Sequence, residues 1–360
     1  MRKGWEYKKW KEVLTIINGK NQSAVVDANG EYPIYGSGGI MGYANNWLCP
    51  ENCVIIGRKG NINKPIFVET KFWNVDTAFG LNANIEYLLP HFLFYFCLDY
   101  NFERHNKAVT IPSLTKADLL KIAIPIPPLS TQLSIVSELD KINELIRLKK
   151  ELLKDFDNLA QSLFYEMFGD PLENEMGWEV KKLGDVCTFS QGLQVPIENQ
   201  KEIPNEGDVR FLRIIDFTQG KDAPRYVACN NDKYILHKKE IAIVRYGTPG
   251  FVCTGKIGAI ANNLFKINPI ADNIFVFEYL VHWLSTDAFQ LSIKGKQYGA
   301  ALQAIKFSTI QSLEIIIPPL PLQHLFAQRI EQIEHQKAEV QKSITDLETL
   351  LASRMQYWFE

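Results

Sequence analysis

The segment IPIPPLSTQLSIVSELDKI spans Ile124–Ile142, and IIIPPLPLQHLFAQRIEQI spans Ile315–Ile333. Each is an apolar run, a Pro pair and then a run of helix-forming residues. The two are in register at an offset of 191, pairing Pro127 with Pro318 and Ile142 with Ile333. A second echo lies upstream of each: GWEYKKWKEV from Gly4 returns as GWEVKKLGDV from Gly177, at an offset of 173. The chain therefore reads as a duplication with four segments. These are a first domain over 1–128, a long spacer helix over 129–169, a second domain over 170–319 and a second long spacer helix over 320–360.

After Pro128 the pattern turns helical, with Ser130 as the expected N-cap and no Gly or Pro until Gly169. Apolar residues recur at steps of four and three: Ile135, Leu139, Ile142, Ile146, Leu153, Phe156, Ala160, Leu163 and Met167, broken only at Lys149. Gly169 and Pro171 in MFGDP are stop signals. The second copy repeats the rhythm at Phe326, Ile330, Ile333, Val340, Ile344, Leu347, Leu351 and Trp358, broken at Lys337 and Arg354. A period of 3.5 sustained over about five heptads predicts a coiled-coil partner for each helix rather than one face on a globular core. The partner expected is the other helix. Helix one leads from the first domain to the second, so a paired helix two must run back, antiparallel. Roughly 38 residues at 1.5 Å each predict a rod of about 57 Å. Leu133, Leu145 and Leu148 exceed what one seam needs, and read as half-buried stems or as the face for a third partner.

The domains themselves read as α+β, with mixed α/β character. Short β-branched runs (CVIIG from Cys53, EIAIVRYG from Glu240, KIGAIANNLFKI from Lys256) are bounded by Gly and Asn turns. Each domain ends on a short helix and an apolar strand that runs into the Pro pair and is expected to close the sheet. A chain of 360 residues is long enough for two or three cores. No apolar run reaches the roughly 20 residues of a membrane span, and the first ten residues lack the apolar stretch of a signal peptide. Six cysteines form no CxxC and have no His pair at zinc-finger spacing. They read as free thiols in a reducing cytoplasm, with half a metal site at Cys49 and Cys53 as the less favoured alternative. No metal is expected.

Net charge is −2, but it is unevenly spread. Residues 1–126 carry 14 Lys/Arg against 11 Asp/Glu, residues 171–317 carry 16 of each, and the segments after the Pro pairs hold nine against 14. Neutral to mildly basic domains permit phosphate contact without demanding it. No catalytic constellation stands out. The six His are scattered, and YGSGGIMG from Tyr35 lacks the Lys-Ser/Thr of a phosphate loop, so it reads as a flexible turn. No Asn/Asp-Pro-Pro-Tyr/Phe tetrapeptide of an amino-methyltransferase is present. What the domains offer is basic and amide residues on Gly-rich loops beside strands. The first has Arg58, Lys59, Asn61, Asn63 and Lys64 in GRKGNINK. The second has Arg245, Tyr246 and Thr248 in VRYGTPG, then Lys256, and later Lys294, Lys296, Gln297 and Tyr298 in KGKQYG. Arg and Lys suit guanine edges, Asn and Gln suit adenine, and all hold phosphates. Each alone is more often a solvated loop.

Taken together, the GWE-x-KK openings, the Pro-Pro-Leu plus Gln start of each long helix, SLFYEMFGDP at the end of the first, and VRYG followed by GAIANNLFKI resemble the specificity subunit of type I restriction-modification systems. The resemblance covers essentially the whole chain. It implies two target-recognition domains, each reading half of a split site in double-stranded DNA, spaced by an antiparallel helix pair. It implies docking of two methyltransferase subunits and of restriction/translocase subunits, in the cytoplasm and without a membrane. It implies no chemistry and no cofactor in this chain: S-adenosylmethionine, ATP and Mg2+ belong to the partners. The alternative is a non-DNA coiled-coil scaffold with two ligand-binding lobes, which the net charge fits equally well.

Overall fold

The computed structural model describes residues 5–106, 111–218, 222–295 and 305–359, without the side chains of residues 294 and 295. Two compact units divide the chain, one of residues 1–151 with 341–360, the other of residues 152–340. Each unit joins one domain to parts of both long helices.

The first unit begins with β1 (Glu6–Lys9), α1 (Trp10–Val13), β2 (Leu14–Asn18), the hairpin β3 (Tyr32–Gly36) and β4 (Gly39–Ala44), and β5 (Cys53–Gly57). It continues through β6 (Ile66–Val68), β7 (Trp73–Asn74), β8 (Ala78–Ala83), α2 (Pro90–Asp99), α3 (Lys116–Leu119), β9 (Ala123–Ile126) and into α4 (Leu129–Phe168). One sheet runs β2-β8-β5-β6 and a second β4-β3-β7. All five residues of β5 are buried, so CVIIG is an uninterrupted apolar run and not an alternating one. Pro90 opens α2, where a missing N–H costs nothing and the fixed φ fits. Thr115 caps α3 by accepting the Asp118 amide at 3.2 Å.

The second unit repeats the plan. It holds β10 (Glu179–Lys182), α5 (Leu183–Val186), β11 (Cys187–Gln191), β12 (Asp208–Leu212), α6 (Ile214–Thr218), β13 (Arg225–Ala228) and β14 (Ile235–Leu236). Then come β15 (Ile241–Val244), β16 (Val252–Cys253), β17 (Gly258–Ile260), β18 (Leu264–Pro269), α7 (Phe277–Ser285), α8 (Asp287–Gly295), α9 (Phe307–Gln311), β19 (Glu314–Ile317) and α10 (Leu320–Phe359). The sheet order β11-β18-β15-β16 reproduces β2-β8-β5-β6. The apolar stretch KIGAIANNLFKI is two strands in different sheets, β17 and β18, parted by the turn at Ala261–Asn263.

The two sequence echoes are strand partners of one another. β1 pairs antiparallel with β9, Glu6 opposite Ile126 and Lys9 opposite Ala123. β10 pairs with β19 in the same register, Glu179 opposite Ile317 and Lys182 opposite Glu314. The last strand thus does not close the main sheet, as expected from sequence; it makes a separate two-stranded ribbon with the first strand of its own domain. Beyond the ribbon, Trp10 N donates to Ile122 O at 2.9 Å and Leu183 N to Leu313 O at 2.7 Å.

Both spacer helices are 40 residues long. α4 starts at Leu129, and the Pro128 carbonyl accepts from Thr131 and Gln132 at 2.8 and 3.0 Å. Ser130 therefore lies inside the first turn and is not the N-cap; the helix begins directly after Pro128, two residues earlier than a cap at Ser130 would set it. The antiparallel sense holds in each unit. In the first, Arg354 binds Glu138 and Lys150 binds Glu348 at 2.7 Å. In the second, Lys337 reaches Asp157 at 2.8 Å. The two seam breaks of α10, Lys337 and Arg354, thus make interhelical ion pairs. Seam residues Ile135, Leu139, Ile142, Ile146, Leu163, Phe326, Ile330, Ile333 and Ile344 are buried, and Leu153, Phe156, Val340, Leu347 and Leu351 half-buried.

The exclusion of a globular-core contact needs correction. Ile135, Val136 and Leu139 join the core of the first domain together with Phe92 and Phe96 of α2, and Leu351, Met355 and Trp358 pack against the same cluster. Ala160, Leu163, Phe164 and Phe168 join the core of the second domain with Tyr279, Phe326 and Ile330. Near each domain the seam residues themselves enter the core, joined by Val136, Phe164, Phe168 and Met355 one residue off the heptad positions. Leu133, Leu145 and Leu148 are exposed, at 61%, 47% and 47%.

Candidate nucleic-acid interface

The two loops singled out in the sequence occupy the same place in the duplicated fold. One joins β5 to β6 and the other β15 to β16. Arg58 N donates to Thr77 O at 2.8 Å, and Arg245 N to Asn263 O at 2.8 Å; each acceptor immediately precedes the neighbouring strand, β8 or β18. The Arg58 carbonyl accepts from Leu114 N at 2.9 Å, and the Arg245 carbonyl from Ile305 N at 2.9 Å. Leu114 and Ile305 are again 191 apart. Both guanidinium groups lie near an aromatic ring, Phe79 at 6.0 Å and Phe307 at 5.7 Å, and each donates to a backbone carbonyl, Asp76 O and Ile305 O respectively, at 3.4 Å. A fixed backbone below and a side chain held only at long range above is what a reader of an external acceptor needs.

The remaining residues divide. Lys59, Asn61 and Lys64 are exposed on the first loop, and Tyr246 and Thr248 on the second. Asn63 is exposed as well, and its Oδ1 accepts the Phe102 amide at 2.8 Å, next to the turn at Phe102–His105 that Asn101 caps. Lys256 donates to Asp216 O at 2.5 Å and lies 5.6 Å from the Phe217 ring, which ties it to α6. Lys294 sits at the end of α8; Lys296, Gln297 and Tyr298 lie outside the described residues.

Sequence reasoning missed a second cationic cluster. Asp216, buried at the start of α6, is bound by Arg210 and by Arg213, whose Nε lies 3.2 Å away, and it accepts the Arg213 amide at 2.9 Å. Two arginines thus share the Asp216 carboxylate, Arg213 also lies 3.5 Å from Asp222, and Lys256 binds the Asp216 backbone carbonyl, so three cations and two acids gather at the β12–α6 junction. The signal was present as DVRFLRIID, in which Arg210 and Arg213 flank a buried pair, but two arginines three apart are unremarkable without the buried acid. It also missed the β3–β4 hairpin: YGSGGIMG forms its tip, with Ile40, Met41 and Tyr43 exposed.

Cys49 and Cys53 are both buried, and Cys49 Sγ donates to Asn74 Oδ1 at 3.1 Å. Burial pushes the Cys53 thiol up to about 12 and that of Cys49 higher still, so both are held as neutral thiols. Among the described residues no cluster of His, Cys, Asp or Glu could hold a metal ion, and no helix is long and apolar enough to cross a membrane.

Comparison with known proteins agrees with the duplication. The family of type I restriction-modification DNA specificity domains matches twice, over residues 2–155 and 175–349. A putative type I restriction enzyme specificity subunit of Haemophilus influenzae is 26% identical over 350 residues, covering 91% of this chain and 87% of that protein. The EcoDI specificity subunit of Escherichia coli is 20% identical over 382 residues, covering 95% and 84%. Among solved structures, the S subunit of a type I restriction-modification system from M. genitalium superposes with a TM-score of 0.56 at 14% identity, covering 100% of this chain and 98% of its own. A chain from a study of complex assembly and conformational transition of the type I system gives 0.62 at 19% identity, covering 99% and 97%. The scaffold alternative has no such support. With two copies of the domain in one chain, this protein belongs to the type I restriction-modification DNA specificity family.

Proposed function

We propose that this chain is the non-catalytic subunit that selects DNA for a type I restriction-modification assembly. Each domain reads one half of a split site in double-stranded DNA, and the paired helices set the gap between halves. Two methyltransferase subunits and the restriction/translocase subunits dock on it in the cytoplasm, and S-adenosylmethionine, ATP and Mg2+ are bound by those partners. The observation that supports this reading is the matched placement of Arg58 and Arg245, each fixed by the same two backbone hydrogen bonds in its own domain. Arg in a fixed frame is suited to the O6/N7 edge of guanine.

The test is reconstitution of the chain with its methyltransferase subunits, followed by binding to duplex DNA between about 50 and 200 mM salt. A linear fall of log K with log salt is expected. Methylation-aware sequencing of DNA exposed to the complex should reveal a split motif with methylated adenines. Salt-independent binding, or a single uninterrupted motif, would overturn the proposal.

A further inference from the structure

The hairpin β3–β4 contains an irregularity with a direct effect on what it presents. Ile34 pairs with Gly42 and Tyr35 with Ile40, so Met41 is an extra residue with no partner on β3. Successive residues of a regular strand face opposite sides; a bulge breaks that alternation and re-aims side chains. Here it places two consecutive apolar residues in solvent, Ile40 at 57% and Met41 at 63% exposure. Gly36 makes room for this, since a Cβ there would stand 2.6 Å from Met41 Sδ.

The tip of the hairpin lies against the basic loop. A Cβ on Gly38 would come within 3.7 Å of Asn61 Nδ2, and one on Gly60 within 3.9 Å of Ser37 Oγ. The apolar pair is therefore on a hairpin whose tip abuts the loop that carries exposed Arg58 and Lys59. Exposed apolar side chains next to cations suit a ligand that is anionic outside and apolar within, which describes duplex DNA with its phosphates and base stack. We propose that Ile40 and Met41 form a wedge that enters the base stack at the half-site read by the first domain, while Arg58 and Lys59 hold the flanking backbone and base edges. This rests on the DNA-reading function proposed above. The proposal concerns the first domain alone: in the second, the counterpart strands β12 and β13 pair from Asp208–Ala228 to Phe211–Arg225, and half-buried Arg210 and Tyr226 face each other on that ladder.

The experiment uses the full chain with its methyltransferase subunits, and duplexes carrying the motif with 2-aminopurine at successive positions other than the methylated adenine. Wild type should brighten one position in the half-site whose recognition depends on Arg58. I40S/M41S should lose that signal, bind the motif about tenfold more weakly and melt like wild type, while I40L/M41L restores both. Equal signal and affinity in wild type and I40S/M41S would overturn the wedge alone. Loss of co-elution of I40S/M41S with the methyltransferase subunits would assign the pair to a protein partner and also overturn it. A wild-type complex with no salt-dependent duplex binding would overturn both the wedge and the DNA-reading function.

Discussion

Gln132 is fully buried at the start of α4, and its Oε1 accepts the Leu89 amide at 2.8 Å. Its Nε2 donates to Tyr87 O at 2.7 Å and Pro127 O at 2.9 Å. Gln323, 191 residues on, repeats the arrangement with Val276 N, Ile274 O and Pro318 O at 2.8, 3.1 and 2.8 Å. One side-chain amide thus ties the segment before α2 or α7 to the Pro pair and to the first turn of the long helix.

Gln132→Leu keeps the volume and removes all three bonds, leaving the amide of Leu89 without its acceptor in a dry site. The expected loss is about 2–3 kcal/mol in urea unfolding. An unchanged midpoint would mean that water or another group replaces the glutamine.

Phe326 is fully buried with ring centroids 5.8 and 5.2 Å from Phe164 and Phe168. Phe326→Ala should cost about 3–5 kcal/mol, the sum of lost burial and a residual cavity. Leu133→Ala, on an exposed position, should lie within about 0.5 kcal/mol of wild type by the same measurement.

Glu138 receives hydrogen bonds from Arg354 and, at 3.1 Å, from Trp358 Nε1, and Arg354 chiefly holds its carboxyl below its ordinary 4.5. A carboxyl depressed in the folded state contributes stability above its unfolded pKa and loses it as pH falls through the folded value. Glu138→Gln should therefore melt below wild type at pH 7, and the two curves should converge as pH drops below 4.5. A gap that persists at low pH would show the loss to be packing rather than charge.

Arg58→Ala and Arg245→Ala should each relax recognition at one half of the split motif only, by about 1–3 kcal/mol at a single base pair. Methylation patterns read by sequencing distinguish the halves. Weakening of all duplexes alike, with a shallower salt slope, would make these arginines phosphate contacts.

Four residues inserted after Lys150, with four more after Gln341, would lengthen both helices by about 6 Å without shifting the 150–348 or 157–337 ion pairs. The recognised motif should keep both halves and gain about two base pairs of spacer. A motif of unchanged spacing would remove the helices from the role of ruler.

Much of the fold was legible in the sequence because its punctuation is chemical. A Pro pair ends a strand, a 3.5-residue period demands a facing helix, and Gly169 at φ 76° stops one. What periodicity could not convey is that a helix can serve two partners. Phe164 and Phe168 sit beside the heptad positions Leu163 and Met167, and only the fold shows that they enter the core of the second domain. The equivalent placement of the Arg58 and Arg245 loops was not legible, and neither were the hydrogen bonds by which Asn63 and Lys256 hold backbone groups of the fold. A loop composition records which groups exist, not which are already engaged. The bulge at Met41 escaped because it is a property of pairing between strands, and no single strand encodes it.

The ribbons β1–β9 and β10–β19 bring the way into each domain alongside the way out. Everything between them is topologically a closed excursion from the helices. Between ribbons, the second domain is longer than the first by 191 − 173 = 18 residues, yet both ribbons keep one register and both helices carry the equivalent glutamine, Gln132 or Gln323, in the first turn. Sequence change inside the excursion, including insertions, reaches the helix pair through the ribbon, the amide it adjoins and the residues of α2 or α7 packed on the helices. Loops between the ribbons can therefore differ in length between the two domains while the entry and exit of each stay in one register.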